Sequence, residues 1–171
     1  MKKTGSLTVT TPTDRELVMT RVFEAPRSSV FDCWTQPELV QRWLIGPSGW
    51  TMPVCEIDLR VGGRYRYVWR NEDGREMGMG GVYREIVPPE RLVSTELFDE
   101  DWTGGETLVT IVLVEQDGKT TVTLTVLYSS REVRDGVLKS GMADGIDAGY
   151  DRLAELLATS PAREDSQTGP R

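Results

Sequence analysis

Residues 120–128 read TTVTLTVLY, and residues 129–158 read SSREVRDGVLKSGMADGIDAGYDRLAELLA. In the first stretch apolar residues alternate with threonine, which is typical of a β-strand with one buried face. In the second, apolar residues recur at close to helical spacing, and Ser129 or Ser130 can cap the start of a helix. The change of period predicts a strand that leads into one long C-terminal helix over 131–158.

The chain before this stretch predicts an antiparallel sheet with two short helices near its start. Residues 61–63 (VGG) and 116–119 (QDGK) are typical of turns between paired strands. We expect short helices at 25–34 and 35–43, and strands at 15–23, 50–60, 63–70, 77–87, 91–98 and 106–115. An antiparallel sheet whose apolar face is covered by one helix is a stable layer arrangement, so the predicted fold class is α+β.

Four glycines, Gly136, Gly141, Gly145 and Gly149, interrupt the predicted C-terminal helix. Each glycine lowers the stability of the helix by about 1 kcal/mol relative to alanine. Four of them in one helix therefore need a physical explanation. One interpretation is that they allow the helix to pack closely on the sheet. The other is that they leave space beside the helix for a bound molecule.

The chain has 171 residues and contains no histidine. This excludes Ser-His-Asp and Cys-His nucleophile systems, and also histidine-ligated zinc, iron or haem. Any catalysis must therefore use aspartate, glutamate, lysine, arginine, tyrosine or cysteine side chains. No cofactor and no metal site are predicted. The net charge of −7 argues against nucleic acid as a partner, because binding nucleic acid needs a basic surface.

One domain is predicted over 14–158, between a flexible N-terminal arm at 1–13 and a disordered C-terminal tail at 159–171. The tail is polar and contains two prolines, which is typical of disorder. We expect neither a signal peptide nor a membrane span, because no apolar run of suitable length is present. Cys33 and Cys55 form no CxxC pair and are interpreted as free thiols, which favours a cytoplasmic location.

Aromatic and methionine side chains form the most suggestive candidate site. Tyr65, Tyr67 and Trp69 alternate along one predicted strand and therefore share a face. Such a set can be a packed core, or the apolar wall of a pocket in which tyrosine hydroxyls orient a ligand. Trp43 and Trp50 are expected near the mouth of that pocket. The candidate pocket residues are Trp43, Trp50, Tyr65, Tyr67, Trp69, Met77, Met79, Tyr83, Met142 and Ile146.

Two groups of charged residues are interpreted as facing solvent. Glu56 and Asp58 share a strand face opposite the arginines of the next strand, which favours cross-strand pairing. The alternative for this pair is a buried acid with a raised pKa that acts on a ligand. Glu96 joins the acidic residues at 99–101 in a cluster that is expected around a solvated loop, since it lacks a calcium-binding spacing. No catalytic residue is assigned.

Several short motifs, spread over about 15–158, occur in an order that matches a known family. They are RVFEAPR (21–27), WTQPE (34–38), DLRVGG (58–63), GVYREI (81–86) and GMADG (141–145). Together they resemble bacterial homologues of the activator of heat-shock protein 90 ATPase. The chain departs from many of these relatives at Ile146, where they carry tryptophan, and this difference would change the size or shape of a cavity.

The resemblance implies the helix-grip fold of the START-like, birch-allergen-like (SRPBCC) superfamily. That fold is a curved seven-stranded antiparallel sheet around a long C-terminal helix, with two short helices between the first two strands. Because superfamily members commonly hold an apolar ligand between sheet and helix, the first hypothesis is binding of a small, mainly apolar molecule. The second is a cyclase- or aromatase-type enzyme that uses tyrosine, arginine or a carboxylate. The third is a co-chaperone-like protein that stimulates a heat-shock protein 90 ATPase, and a homodimer is a further partner hypothesis.

Overall fold

The alternating stretch near 120 forms an inner strand of the sheet in the computed structural model, which describes residues 7–159. The strands are β1 (Thr8–Thr10), β2 (Glu16–Phe23), β3 (Trp50–Ile57), β4 (Arg64–Asn71), β5 (Glu76–Val87), β6 (Arg91–Phe98), β7 (Thr107–Gln116) and β8 (Lys119–Leu127). The helices are α1 (Arg27–Thr35), α2 (Pro37–Trp43), α3 (Arg131–Lys139) and α4 (Met142–Ala158). The predicted α+β class is confirmed.

All neighbouring strands are antiparallel, in the order β1-β2-β8-β7-β6-β5-β4-β3. Tyr150 of α4 packs on Phe23 of β2 with ring centroids 5.4 Å apart, which identifies the inner face of the sheet as the one that carries Phe23. Alternation then places Leu17, Met19 and Arg21 on the same inner face. The pairing register identifies the residues of the same inner face on β8, β7 and the remaining strands.

The described sheet has eight strands rather than the predicted seven. The additional strand is β1, which pairs with β2 so that Val9 lies opposite Met19. Residues 8–10 fall in the segment predicted to be a flexible arm, so part of that arm belongs to the sheet. Residues 1–6 of the arm and residues 160–171 of the predicted tail lie outside the described residues.

The C-terminal helix is divided into α3 and α4, where one continuous helix was predicted. Gly141 at the joint has φ of +88°, a left-handed conformation through which an α-helix does not continue. A Cβ placed on Gly136, Gly141 or Gly145 would meet no atom within 4 Å, and all three residues are exposed. Close packing on the sheet is therefore not the reason for these three glycines, whereas a Cβ on Gly149 would contact Trp43.

Aromatic packing between α1, α2 and α4 closes one end of the inner face. Trp34 and Trp43 meet edge to face with ring centroids 4.8 Å apart, and Tyr150 lies 5.7 Å and 5.9 Å from them. Trp43 Nε1 also donates a 2.8 Å hydrogen bond to the carbonyl oxygen of Cys33. We call Phe23, Trp34, Trp43 and Tyr150 the packed end. It fixes the position of α4 over the sheet.

Candidate ligand site

β4 lines the inner face with three aromatic side chains. Tyr65, Tyr67 and Trp69 are each 7% exposed, and the residues that alternate with them on the outer face are three arginines and Val68. The ring centroids of Tyr65 and Tyr67 lie 5.1 Å apart, and those of Tyr67 and Trp69 lie 5.9 Å apart. Tyr83 of β5 joins the same cluster, 5.4 Å from Tyr65. The alternation in the sequence therefore produces a continuous aromatic wall.

Gly81 of β5 makes room for Tyr65. The two residues lie opposite each other, and a Cβ on Gly81 would be 2.9 Å from Cε1 of the Tyr65 ring. Without that side chain, Tyr65 leans across β5, and its hydroxyl donates a 2.7 Å hydrogen bond to the carbonyl oxygen of Thr95. The ring is thereby held beside the segment of β6 that carries Glu96.

Glu96 extends from β6 into the same interior. It lies opposite Thr107 of β7, on the face that also carries Leu92 and Ser94. Glu96 lies in β6, as the predicted strand at 91–98 has it, but it is on the inner face of the sheet and not among the solvent-facing acidic residues with which it was grouped. Burial raises the pKa of the Glu96 carboxyl to about 7, since a desolvated carboxylate loses its charged form.

The hydroxyl and thiol groups near Glu96 are neutral at ordinary pH. Burial raises the pKa of Tyr65, Tyr67 and Tyr128, and the charge of Glu96 adds to the effect at each of them. The strand register places Tyr128 beside Thr107, which lies opposite Glu96, and the Tyr65 hydroxyl bonds to Thr95, the residue before Glu96. Burial, together with Glu38 and Glu56, raises the pKa of the Cys55 thiol to about 12, so the thiol is not an activated nucleophile.

Parts of the inner face are accessible to water. Leu124 of β8 lies on the inner face between Met19 and Ile111, which are both buried, yet Leu124 itself is half-buried. Glu96 and Ile146 of α4 are half-buried too. A close-packed core would bury a central leucine, so the helices leave a space over this part of the sheet. We call that space the recess. We define it by three half-buried residues, Glu96, Leu124 and Ile146, and by four buried tyrosines of the inner face, Tyr65, Tyr67, Tyr83 and Tyr128.

Some predicted pocket residues line the recess or lie beside it. Tyr65, Tyr67 and Tyr83 belong to its lining, and Met79 is buried opposite Tyr67 on β5. Met142 and Ile146 are half-buried on α4 and pack against the core cluster. Tyr128 and Glu96 were not selected from the sequence. The alternation of β6, in which Glu96 follows Leu92 and Ser94 on one face, is the signal that could have identified the acid.

Other predicted pocket residues have different positions. Trp43 is 2% exposed and forms part of the packed end instead of a pocket mouth. Trp69 Nε1 donates a 2.8 Å hydrogen bond to the carbonyl oxygen of Leu44, which ties β4 to the segment after α2. Trp50 is half-buried at the start of β3, and Met77 is 39% exposed on β5. The structure therefore does not gather the ten candidates into one site.

Arg21 is a buried cation at the packed end that sequence reasoning did not select. Its side chain is 4% exposed, and its Nη1 lies 3.1 Å from Asp147 Oδ1 and 2.8 Å from Asp151 Oδ1. The two carboxylates are one turn apart on α4, and both form ion pairs with the guanidinium group. The guanidinium also lies 5.4 Å from the ring centroid of Phe23. This group is an ion cluster that joins β2 to α4.

The outer face of β4 and β5 carries an open groove of about 600 Å³. Arg66 crosses it and forms a bidentate ion pair with Asp99, with distances of 2.8 Å and 2.7 Å. Glu56 lies opposite Arg66 on the neighbouring strand and is exposed, so it is not a buried acid. Charged side chains that pair with one another in water make this groove a poor site for an apolar ligand.

The described part of the chain lacks a metal-binding cluster and a membrane-spanning helix. Over residues 7–159, no group of three or more cysteine, aspartate or glutamate side chains is arranged to hold a metal ion. Within the same range, no helix has both the length and the apolar character needed to cross a membrane.

A curved antiparallel sheet that wraps a C-terminal helix, with two short helices after its first long strand, defines a helix-grip domain. The chain belongs to the family described as Activator of Hsp90 ATPase homolog 1-like protein, whose model matches residues 24–158. This family assignment agrees with the resemblance seen in the sequence motifs.

Solved structures are similar over nearly the whole chain. A crystal structure of a protein from Rhodobacter sphaeroides is 35% identical, covers 90% of this chain and 98% of that chain, and has a TM-score of 0.85. For a protein from Mycobacterium smegmatis the identity is 25%, the coverage 90% and 98%, and the TM-score 0.78. A protein from Chromobacterium violaceum is 27% identical, the match covers 83% of this chain and 96% of that chain, and the TM-score is 0.71. A comparison with curated proteins gave no match.

Proposed function

We propose that the protein binds a small, mainly apolar molecule in the recess between the sheet and the C-terminal helices. The observation that carries the proposal is the accessibility of Leu124, which lies on the inner face of the sheet between two buried neighbours. Protein cores are packed as densely as organic crystals, so an accessible apolar interior is a space that a ligand can fill.

The lining of the recess supports an apolar ligand with a small number of polar atoms. Aromatic rings and Leu124 supply most of the wall, and the polar groups are tyrosine hydroxyls and the carboxyl of Glu96. A wall of this kind buries most of the surface of a ligand and uses the few polar groups to fix its orientation. Tyr65 already donates its hydroxyl hydrogen to Thr95, so it contributes mainly its ring.

Native mass spectrometry of the gently purified full chain tests this proposal. We expect the wild-type protein to carry a small molecule, or to bind an added naphthyl compound. Ile146→Trp places a large ring on the core-facing side of α4 and should lower the bound fraction several-fold. The control Ala148→Trp adds the same ring on the exposed side of α4 and should leave the bound fraction unchanged. A wild-type chain that carries nothing and binds no probe would overturn the proposal.

A second candidate function is a cyclase- or aromatase-type enzyme, and the carboxyl of Glu96 is the observation that favours it. A general acid or base works best when its pKa lies near the working pH, and burial raises the pKa of Glu96 to about 7. Glu96→Gln should then still bind the co-purified molecule but fail to convert it. Liquid chromatography with fragmentation mass spectrometry before and after incubation measures this, because ring closure without loss of water leaves the mass unchanged. An unchanged retention time and fragmentation pattern with the wild-type protein excludes the enzyme.

The co-chaperone and homodimer hypotheses stay predictions. The first is tested by the ATPase rate of a heat-shock protein 90 with and without an excess of this chain, and an unchanged rate would remove it. The second is tested by sedimentation, in which a particle of 19.2 kDa would exclude a dimer.

A further inference from the structure

We propose that the recess selects an apolar ligand that carries a protonated amine, with Glu96 as the counter-ion and the tyrosine rings as its surroundings. This inference rests on the proposed function and adds the charge of the ligand to it. Three features carry it: the lack of a protein cation for Glu96, the commitment of the buried arginines elsewhere, and the rings around the carboxyl.

Glu96 is a half-buried acid on the inner face of the sheet without a partner cation in the described part of the chain. No lysine or arginine of residues 7–159 forms an ion pair with it, and burial is the one resolved influence on its pKa. A carboxyl group in such surroundings is unfavourable unless some other group supplies the missing charge or hydrogen bond. A ligand with a positive charge fits this requirement directly.

The two buried arginines of the described residues are committed to other groups. Arg21 lies at the packed end, where it binds two carboxylates of α4. Arg134 of α3 donates a 2.6 Å hydrogen bond from Nη1 to the Thr13 carbonyl oxygen, and its Nε lies 2.9 Å from Asp135 Oδ1. Neither arginine can neutralise Glu96 without breaking these contacts.

The tyrosine rings favour a cation over a neutral or anionic group. Tyr65, Tyr67 and Tyr83 form one connected cluster, with centroid distances of 5.1 Å and 5.4 Å. The faces of aromatic rings carry partial negative charge and attract an ammonium group placed within about 6 Å. Rings and a carboxylate together therefore form a site that attracts an organic cation and repels an acid.

Binding of an ammonium group would keep Glu96 ionised. Near pH 7 the free carboxyl is partly protonated, and the cation displaces that proton into solvent. Affinity for the cation is therefore expected to rise between about pH 6 and pH 8. The other titratable groups at the recess stay neutral there because burial raises their pKa, while Met142 and Ile146 on α4 carry no charge. These groups are Cys55, Tyr65, Tyr67, Tyr83 and Tyr128.

Three matched probes test the inference by calorimetric titration of the full chain: naphthylmethylamine, naphthylmethanol and naphthoic acid. We expect the amine to bind at least about tenfold more tightly than the alcohol, because hydrogen bonds to charged groups are stronger than neutral ones. Glu96→Gln should remove this preference and change the affinity for the alcohol less than about twofold. Glu56→Gln, the same change at an exposed position on β3, should keep the preference.

The outcomes separate this inference from the proposed function. Equal binding of amine and alcohol by the wild-type protein, or tighter binding of the acid, would overturn the charge assignment while the recess remains a binding site. Failure of all three probes would count against both. If Glu96→Gln does not fold, the probe order and its pH dependence in the wild-type protein still decide the question.

Discussion

The packed end and the recess lie on the same inner face of the sheet. They differ in whether the charged side chain has a partner of opposite charge. At the packed end, Arg21 forms ion pairs with Asp147 and Asp151 and lies against the ring of Phe23. In the recess, Glu96 has no described counter-ion, and Leu124, four residues farther along the same inner face and two strands away, is half-buried. One charge has its partners within the fold, and the other has none in the described chain.

The difference assigns separate tasks to the two ends. Aromatic side chains fill the packed end, where Trp43 and Tyr150 position α4 against the sheet. Similar side chains at Tyr65 and Tyr67 line a space that the helices do not fill. Aromatic content alone therefore does not mark a ligand site. Accessibility of the inner face marks it here, together with a carboxyl group that has no counter-ion in the described chain.

The largest expected effect comes from removing a ring at each end. Trp43→Ala should lower the free energy of unfolding by about 3 to 5 kcal/mol, because it empties a close-packed site. Tyr67→Ala should cost less, about 2 kcal/mol, because its ring already borders open space. Urea unfolding followed by circular dichroism measures both. Equal losses would contradict the distinction between a filled and an open end.

The ion cluster at the packed end gives the next prediction. Arg21→Met should lower the free energy of unfolding by about 2 to 3 kcal/mol, since it leaves two carboxylates of α4 beside an apolar side chain. The control Arg66→Met breaks the exposed pair with Asp99 on the outer face and should cost less than about 1 kcal/mol. Chemical denaturation of the two variants at neutral pH compares them. A similar cost for both would mean that burial does not strengthen the inner cluster.

Glu96 should make the stability of the protein depend on pH. Its pKa is about 7 in the folded chain and 4.5 ordinarily, so the folded state holds the proton more tightly. The free energy of unfolding should therefore fall as the pH rises from about 4.5 to about 7.

Glu96→Gln isolates this contribution. The variant and the wild-type protein should differ little at about pH 5, and the variant should be more stable by about 2 to 3 kcal/mol at about pH 8. Glu56→Gln, on the outer face, should show no such divergence. Denaturant unfolding across this pH range measures it; parallel curves for wild type and Glu96→Gln would show that the carboxyl is well solvated.

Much of the fold could be predicted because strand periodicity and turn chemistry are local properties. The predicted strand at 91–98 matches β6, and the turn at 116–119 joins β7 to β8 as expected. The break at Gly141 could not be predicted, because apolar spacing continues through it and its left-handed backbone has no separate signal. Trp43 was expected at a pocket mouth because it is close in sequence to the loop at 46–49, although its side chain packs inside.

The site was harder to predict than the fold. Alternation placed Tyr65 and Tyr67 on one face, but whether that face is filled depends on where the packed end holds α4, a long-range property. Glu96 was missed because its acidic neighbours at 99–101 suggested a loop. Its alternation with Leu92 and Ser94 carried the correct information, and an isolated acid on an apolar strand face is the more informative pattern.

The smallest expected effects concern Gly141, which joins α3 to α4, and Gly145 in the first turns of α4. Gly141→Ala should lower the free energy of unfolding by about 1 kcal/mol, because an L-residue at φ of +88° is strained. Gly145→Ala should raise it by about 0.5 to 1 kcal/mol, because this position is helical and exposed, with free space for a Cβ. Thermal unfolding of the pair compares the two signs. If Gly141→Ala instead stabilises the chain, α3 and α4 form one helix, and the joint does not shape the recess.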